Sequence, residues 1–316
     1  MSQLDTFLPI VNNLMKQNVN AAGKEQVVIV ADLEKEAIGR LMFDSLCKLG
    51  YQTDFAVMQT RRRSGEEPPP TIAAIMKAAQ ICFCICEHSL THTNARNEAS
   101  KVGTKVITMP GITMDMFTEG AMQADYAKVE QLTSAFTEKL TNGDTIKIYT
   151  GPENEYLLQI NIANQMGISS PGIFNGCGAS GNLPSGESYI APILEKSVGE
   201  ILIDGSIAGI GKVSEPVLLK VRDGRLESAS GENGQKLLNL LGDENGRLLA
   251  EFGIGTNDKA RVTGNILEDE KAYGTIHVAL GSNVTFGGTI DAGVHLDCVT
   301  LHPTVWIDDE LVEFDR

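Results

Sequence analysis

The sequence predicts two parts: an α/β N-terminal Rossmann-like domain with a parallel sheet (1–142), then an α+β, mostly antiparallel C-terminal domain (143–316). Three observations predict it. Apolar runs and helical stretches alternate up to about residue 141, which is the grammar of βαβ units. Beyond that point short β runs follow one another between Gly, Asp and Asn turns. Finally, 316 residues with 42% hydrophobic content suffice for two cores.

The opening segment "MSQLDTFLPIVNNLMKQNVNA" places Leu4, Phe7, Leu8, Val11, Leu14 and Met15 on one side of an amphipathic helix, and does not read as a signal peptide. "EQVVIVAD" (25–32) is an apolar run suited to a buried parallel strand. A helix follows over 33–50, with Gly50 as its C-terminal cap. "YQTDFAVM" is the next strand, "PTIAAIMKAA" a helix, "ICFCIC" a strand, "TNARNEASKVG" a helix and "KVITMP" a strand. No GxGxxG turn follows the first strand, so no dinucleotide is assigned. A helical connection (122–141) leads to "TIKIYTG", "EILIDGSIAGIG", "PVLLKVRDGRLES", "TIHVALG" and "VHLDCVTLHPTVWIDDELV", with one helix at 231–244. Within "KVRDGRLES", Asp-Gly predicts a hairpin with a type I′ turn.

A net charge of −15 argues against nucleic acid or an anionic membrane as partner. No run of eighteen apolar residues suggests a transmembrane helix, and the expected location is the cytoplasm.

The segment "CFCICEHSLTH" holds three of the six cysteines and two of the five histidines, and invites a metal reading. Cys82, Cys84 and Cys86 alternate with apolar residues, so they share one strand face at intervals of about 6–7 Å. Tetrahedral zinc needs its ligands about 2.0–2.3 Å from one point, which a straight strand does not provide. Reduced cysteine in such a strand is a small core hydrophobe. His88 and His92 lie just past the strand's carboxyl end, where open α/β sheets bind ligands, and His92 becomes a candidate substrate contact. "NGCGASG" (175–181) has phosphate-loop spacing but opens no helix and lacks the following Lys-Ser/Thr, so it reads as a flexible approach to Glu187.

The second part carries denser chemistry. "VHLDC" puts His295 and Asp297 two residues apart on a strand, pointing to one face, where an imidazole and a carboxylate can share a metal ion. His277 sits mid-strand in "GTIHVALG", Glu251 closes an apolar run in "LLAEFGIGTN", and Glu187 lies between a glycine-rich loop and an apolar segment. His302, before Pro303, reads as structural.

In order and context, "PSGESYIAP", "AEFGIGTN", "GTIHVALGSN" and "HLD" resemble the metal-ligand blocks of the aminopeptidase T/AmpS metallopeptidases, a leucyl aminopeptidase-like group. The resemblance is continuous over about 180–300 and more general in the first part, where "SLTHTNAR" and "ITMPGIT" carry it. It implies two divalent ions, zinc, cobalt or manganese, on Glu187, Glu251, His277, His295 and Asp297, with Glu251 bridging both. It further implies removal of the first residue from small peptides, or cleavage of related amides, by a metal-activated water, in a homodimer. The peptidases carry a catalytic tyrosine seven residues after the position of His277; here that position is Val284, and the chain is shorter, which implies that part of their substrate-binding architecture is missing. His92, Arg96 and Glu268 are the candidates for the acid–base group.

The same superfamily resemblance includes non-haem iron enzymes that open the ring of 2,5-dihydroxypyridine. They keep the HxD pair and have histidine where this chain has Glu251. His277, His295 and Asp297 would give that group's 2-His-1-carboxylate face for Fe(II). Glu251 favours the hydrolase, whereas Val284 and the length favour the dioxygenase. The sequence alone therefore puts an aminopeptidase-type hydrolase first, the iron dioxygenase second, and a metal-stabilised binding protein third.

Overall fold

The computed structural model describes residues 3–314. The chain divides into two compact units, Met1–Glu130 with Gly172–Ser185, and Gln131–Pro171 with Gly186–Arg316. A single cut at 142/143 misses the return of 172–185 to the first unit.

The first unit is built on a five-stranded parallel sheet in the order Gln52–Met58, Gln26–Asp32, Ile81–Ile85, Lys105–Thr108, Ser180–Asn182. Val27 through Asp32 are buried, as a strand covered on both faces requires. The helix Glu36–Lys48 follows, and Gly50 beyond it takes φ +92°, a conformation that favours glycine. Pro70 opens the helix Pro70–Ala78, where its missing N–H costs nothing. Thr93 caps Asn94–Lys101 by accepting a hydrogen bond from the Arg96 amide at 3.2 Å. The N-terminal helix Gln3–Asn13 and the wider turn after it bury Phe7, Val11, Leu14 and Met15.

The cysteine strand is core. Cys82, Cys84 and Cys86 are buried among Val28, Val30, Met76 and Val106, and burial raises the Cys86 thiol far above its ordinary pKa. The Sγ atoms of Cys82 and Cys84 lie 3.8 Å apart, closer than the strand repeat alone suggests, with no metal-ligand cluster around them among the described residues.

"NGCGASG" departs from the sequence reading. Its last two residues, with Asn182, form the strand Ser180–Asn182, the fifth of the parallel sheet, paired with Lys105–Thr108. A three-residue polar strand has no apolar period to betray it; main-chain pairing alone defines it.

The second unit holds two antiparallel seven-stranded sheets. One contains Thr145–Thr150, Tyr156–Asn161, Val198–Ile203, Val217–Arg222, Arg225–Ala229, Thr304–Ile307 and Glu310–Leu311. Its hairpin turns at Asp223 (φ 49°) and Gly224 (φ 70°), both left-handed, as the type I′ expectation requires. The other sheet has at its centre Glu187–Ile190, Leu249–Gly255, Thr275–Gly281 and His295–Leu301. Ile190, Phe252, Ile254, Ile276, Val278, Leu280 and Cys298 from this sheet join Ile146, Ile148, Ile201 and Ile203 from the first in one hydrophobic core.

That packing decides what the other face can hold. Strand side chains alternate, so the residues between those core positions point the opposite way. They are Glu187 and Tyr189; Glu251, Gly253 and Gly255; His277, Ala279 and Gly281; His295 and Asp297. Five carboxylate and imidazole side chains thus share one sheet face with Tyr189, glycines and an alanine.

Candidate metal centre

Cross-strand register brings distant residues together. Ala279 faces Glu251 on one side and Asp297 on the other, so its small side chain leaves space between the two carboxylates. Gly253 pairs with His277, and a Cβ at Gly253 would collide with the imidazole. Gly255 pairs with Glu187, and Gly281 with His295. The glycines of "AEFGIGTN" are the floor under the ionisable groups.

All five metal-ligand candidates converge, in two overlapping sets of donor atoms: Glu187, Glu251 and His277, and Glu251, His295 and Asp297. Glu251 belongs to both. His277 Nε2 lies 3.2 Å from Glu251 Oε1 and 3.6 Å from Glu187 Oε2. His295 Nε2 lies 3.4 Å from Asp297 Oδ1 and 3.5 Å from Glu251 Oε2. His277 and Glu251 are buried, and the His295 ring is 32% exposed, making it the solvent-facing member.

The two histidines differ in their outer partners. His295 Nδ1 is 2.8 Å from the Ser282 carbonyl oxygen, to which it donates, so loss of the second ring proton would bare Nε2, the nitrogen that faces the carboxylates. This is the arrangement that orients a metal-ligating histidine. His277 Nδ1 is buried with no hydrogen-bond partner among the described residues.

Buried like charges and their partners set the protonation. Burial raises Glu251, opposed by the two histidines. Burial pulls His277 down, but Glu251 and Glu187 outweigh it and lift the ring to about 9. In the same way Asp297 and Glu251 lift His295 to about 10. Burial works upward on Asp297, yet His295 beside it holds the carboxyl well below its ordinary range. Without a metal the site therefore stores protons on its imidazoles.

One participant carried no sequence signal. Lys271 is 1% exposed; its Nζ is 2.8 Å from Glu187 Oε1 and is also bonded to Glu270 Oε1. Burial pushes Glu270 up to about 8, reinforced by Asp297 and Glu187 against the pull of Lys271. "EDEKAYG" reads as a solvated charged turn, and only the fold reveals that its lysine points inward. Tyr189 is a second such residue: its ring meets Phe286 edge-on at 5.4 Å, and Phe286 meets the His295 ring at 5.8 Å. Burial, with Glu187 and Glu251 near, raises the Tyr189 phenol, which stays protonated.

The remaining candidates lie outside the donor cluster. His92 belongs to the first unit, exposed in the turn before the helix Asn94–Lys101. Arg96 donates to the Thr91 carbonyl at 2.6 Å and to Ser180 Oγ at 3.1 Å, a clamp within that unit. Glu268 is buried and pairs with Arg261 at 3.5 Å. Val284 is 51% exposed in a short turn.

The donors fit a divalent first-row metal. Imidazole nitrogen and carboxylate oxygen converge, one histidine is pre-oriented, and glycines clear the space. The 2-His-1-carboxylate set of His277, His295 and Asp297 is not itself gathered; Glu251 stands between the two histidines.

No helix among the described residues is long and apolar enough to cross a membrane. No curated protein matches the sequence. The structure is similar to that of 2,5-dihydroxypyridine dioxygenase from Pseudomonas putida KT2440, with TM-score 0.78 and 13% identity over 98% of this chain and 94% of that one. It is similar also to wild-type AmpT from Thermus thermophilus, with TM-score 0.68 and 17% identity over 98% and 97%. At these identities the likeness speaks for the fold, a parallel-sheet unit joined to an antiparallel one. Both alignments run through nearly the whole of either chain, which removes the expectation that a block of the architecture is missing. The sequence itself matches the family model for 2,5-dihydroxypyridine 5,6-dioxygenase (NicX) over residues 20–314, and the chain belongs to that family.

Proposed function

We propose that this protein is a metal-dependent dioxygenase that opens a hydroxylated pyridine-like ring, with a single Fe(II) held by Glu251, His295 and Asp297. The observation that carries the reading is the convergence of those three donors in a chain of this family. Fe(II) bound there would supply the one-electron chemistry that couples O2 to an aromatic ring. Both oxygen atoms enter the opened ring, so the substrate provides the electrons and no external reductant is consumed.

The chain's own residues supply the rest. Ser282 fixes the orientation of His295 through its carbonyl. The Tyr189–Phe286–His295 series gives an aromatic flank against which a flat ring can pack, edge-on or offset. His277 Nε2 faces Glu251 at 3.2 Å and Glu187 at 3.6 Å, and is placed to exchange a proton with either carboxylate.

Glu251 shared between two donor sets favours a second reading, the two-metal hydrolase of peptides or amides. One experiment separates them. The purified chain, loaded anaerobically with Fe(II), is given 2,5-dihydroxypyridine and air-saturated buffer, and O2 uptake is followed against loss of the ring's absorbance. Stoichiometric uptake supports the dioxygenase. No uptake across a hydroxypyridine panel, with amino-acid release from dipeptides by the Zn, Co or Mn form, overturns it in favour of the hydrolase.

A further inference from the structure

The second donor set already holds a cation. Glu187 belongs to the set with Glu251 and His277, yet Lys271 Nζ sits 2.8 Å from its Oε1 and contacts Glu270 as well. The lysine is not a mobile arm. Its backbone N–H donates to the Glu268 carbonyl at 3.0 Å, and its own carbonyl accepts from the Asn257 N–H at 2.9 Å. With the side chain 1% exposed, the ammonium is held away from bulk water.

Three further features distinguish the sets. His295 is held by Ser282 as a metal ligand should be, whereas His277 Nδ1 lacks an orienting partner. The set with His295 opens to solvent through that ring, while the set with His277 is sealed. A divalent ion beside a buried ammonium would also meet strong repulsion, since close charges interact strongly away from water.

We infer that Lys271 is the built-in second cation of this site: its ammonium takes the place that a second metal would occupy against Glu187, and the chain binds one divalent ion where the donor count suggests two. The inference rests on the reading of this cluster as a metal centre, and deepens it. Charge explains why a site with Glu187, Glu251, Glu270 and Asp297 can stay mononuclear: the lysine neutralises the Glu187 end, leaving Glu251, His295 and Asp297 for the metal. Lys271 is thus a positioning residue.

The test is metal stoichiometry. The wild-type chain and Lys271→Gln, Lys271→Met, Lys271→Arg and Glu187→Gln variants are loaded with excess Mn(II), desalted and analysed for metal per chain. Circular dichroism and a thermal melt check the fold, and EPR reports whether the Mn(II) ions are coupled. One ion per chain with an uncoupled six-line spectrum is expected for wild type, Lys271→Arg and Glu187→Gln. Two coupled ions are expected for Lys271→Gln or Lys271→Met. Two ions in the wild type, or loss of an ion in Glu187→Gln, overturns the inference while leaving the metal-centre reading intact. A folded Lys271→Gln or Lys271→Met chain that still binds one ion also overturns it. No bound ion in a folded wild type overturns both. If neither neutral variant folds, the wild type and Glu187→Gln decide the matter by the same counts.

Discussion

Metal binding to this site should expel protons, and the count is fixed by His295. Without metal its ring is lifted to about 10, chiefly by Asp297 and Glu251 against the cost of burial. At pH 7.5 the imidazole is therefore almost fully protonated, yet a ligating Nε2 must be bare. Removing the proton across about 2.5 pH units costs about 3 kcal/mol at 1.36 kcal/mol per unit. The true cost is somewhat less, because a ring 32% exposed is partly screened by water. Two consequences can be measured. Titration calorimetry of Zn(II) into metal-free protein, in phosphate and in Tris, gives proton release from the difference in apparent enthalpy; at least one proton per ion is expected at pH 7.5. Affinity should also rise about tenfold per pH unit between 7 and 9, once buffer competition for the metal is subtracted. Release of less than half a proton, with flat affinity, would refute the assignment of His295 as both protonated in the free protein and a ligand in the bound one.

Three other outcomes follow from the same geometry. His295→Gln and Asp297→Asn should abolish metal retention in elemental analysis with the melt largely preserved, since both keep side-chain volume and a hydrogen-bonding end. Gly253→Ala should lower stability by about 1–3 kcal/mol in urea unfolding and weaken metal binding, because its Cβ collides with the His277 ring; unchanged binding would mean that the ring has room to move. The metal-free protein should lose stability with alkali. His277 and His295 are raised above an ordinary histidine, so their contribution is complete below about pH 6.5 and disappears as pH climbs through about 9 and 10. The urea midpoint should therefore fall between pH 6.5 and 10, and a midpoint that rises would contradict the proton inventory.

The sequence carries the strands and the grouping of five donor side chains because both leave periodic or positional marks. Alternation at "HLDC" and "TIHVALG" shows which side chains share a face, and apolar runs show where the parallel strands lie. Ser180–Asn182 left no such mark, being short, polar and held by main-chain pairing to the strand Lys105–Thr108. Lys271 and Tyr189 were hidden for a different reason. Whether a lysine in "EDEKAYG" faces water or a carboxylate depends on the backbone that carries it, and Glu187 is 84 residues away. Charge complementarity over that distance has no local signature.

The sparse residues outweigh the dense cluster. "CFCICEH" concentrates cysteine and histidine within seven positions, yet its strand geometry keeps the thiols in line and buried. The donor cluster draws five residues from four strands of one sheet, and what makes it possible is the glycine and alanine between them. Each small residue removes a side chain that would fill the space above the sheet, and each ionisable residue then has its charge answered by a neighbour. Glu251 is the junction, shared by both donor sets, and Lys271 with Glu187 makes them unequal. If the lysine charge is what holds the metal count at one, the distinction between one-metal and two-metal chemistry on this sheet lies in a residue that is not a ligand. Substituting the metal ligands one by one would never reveal it, whereas a neutral residue at 271 should.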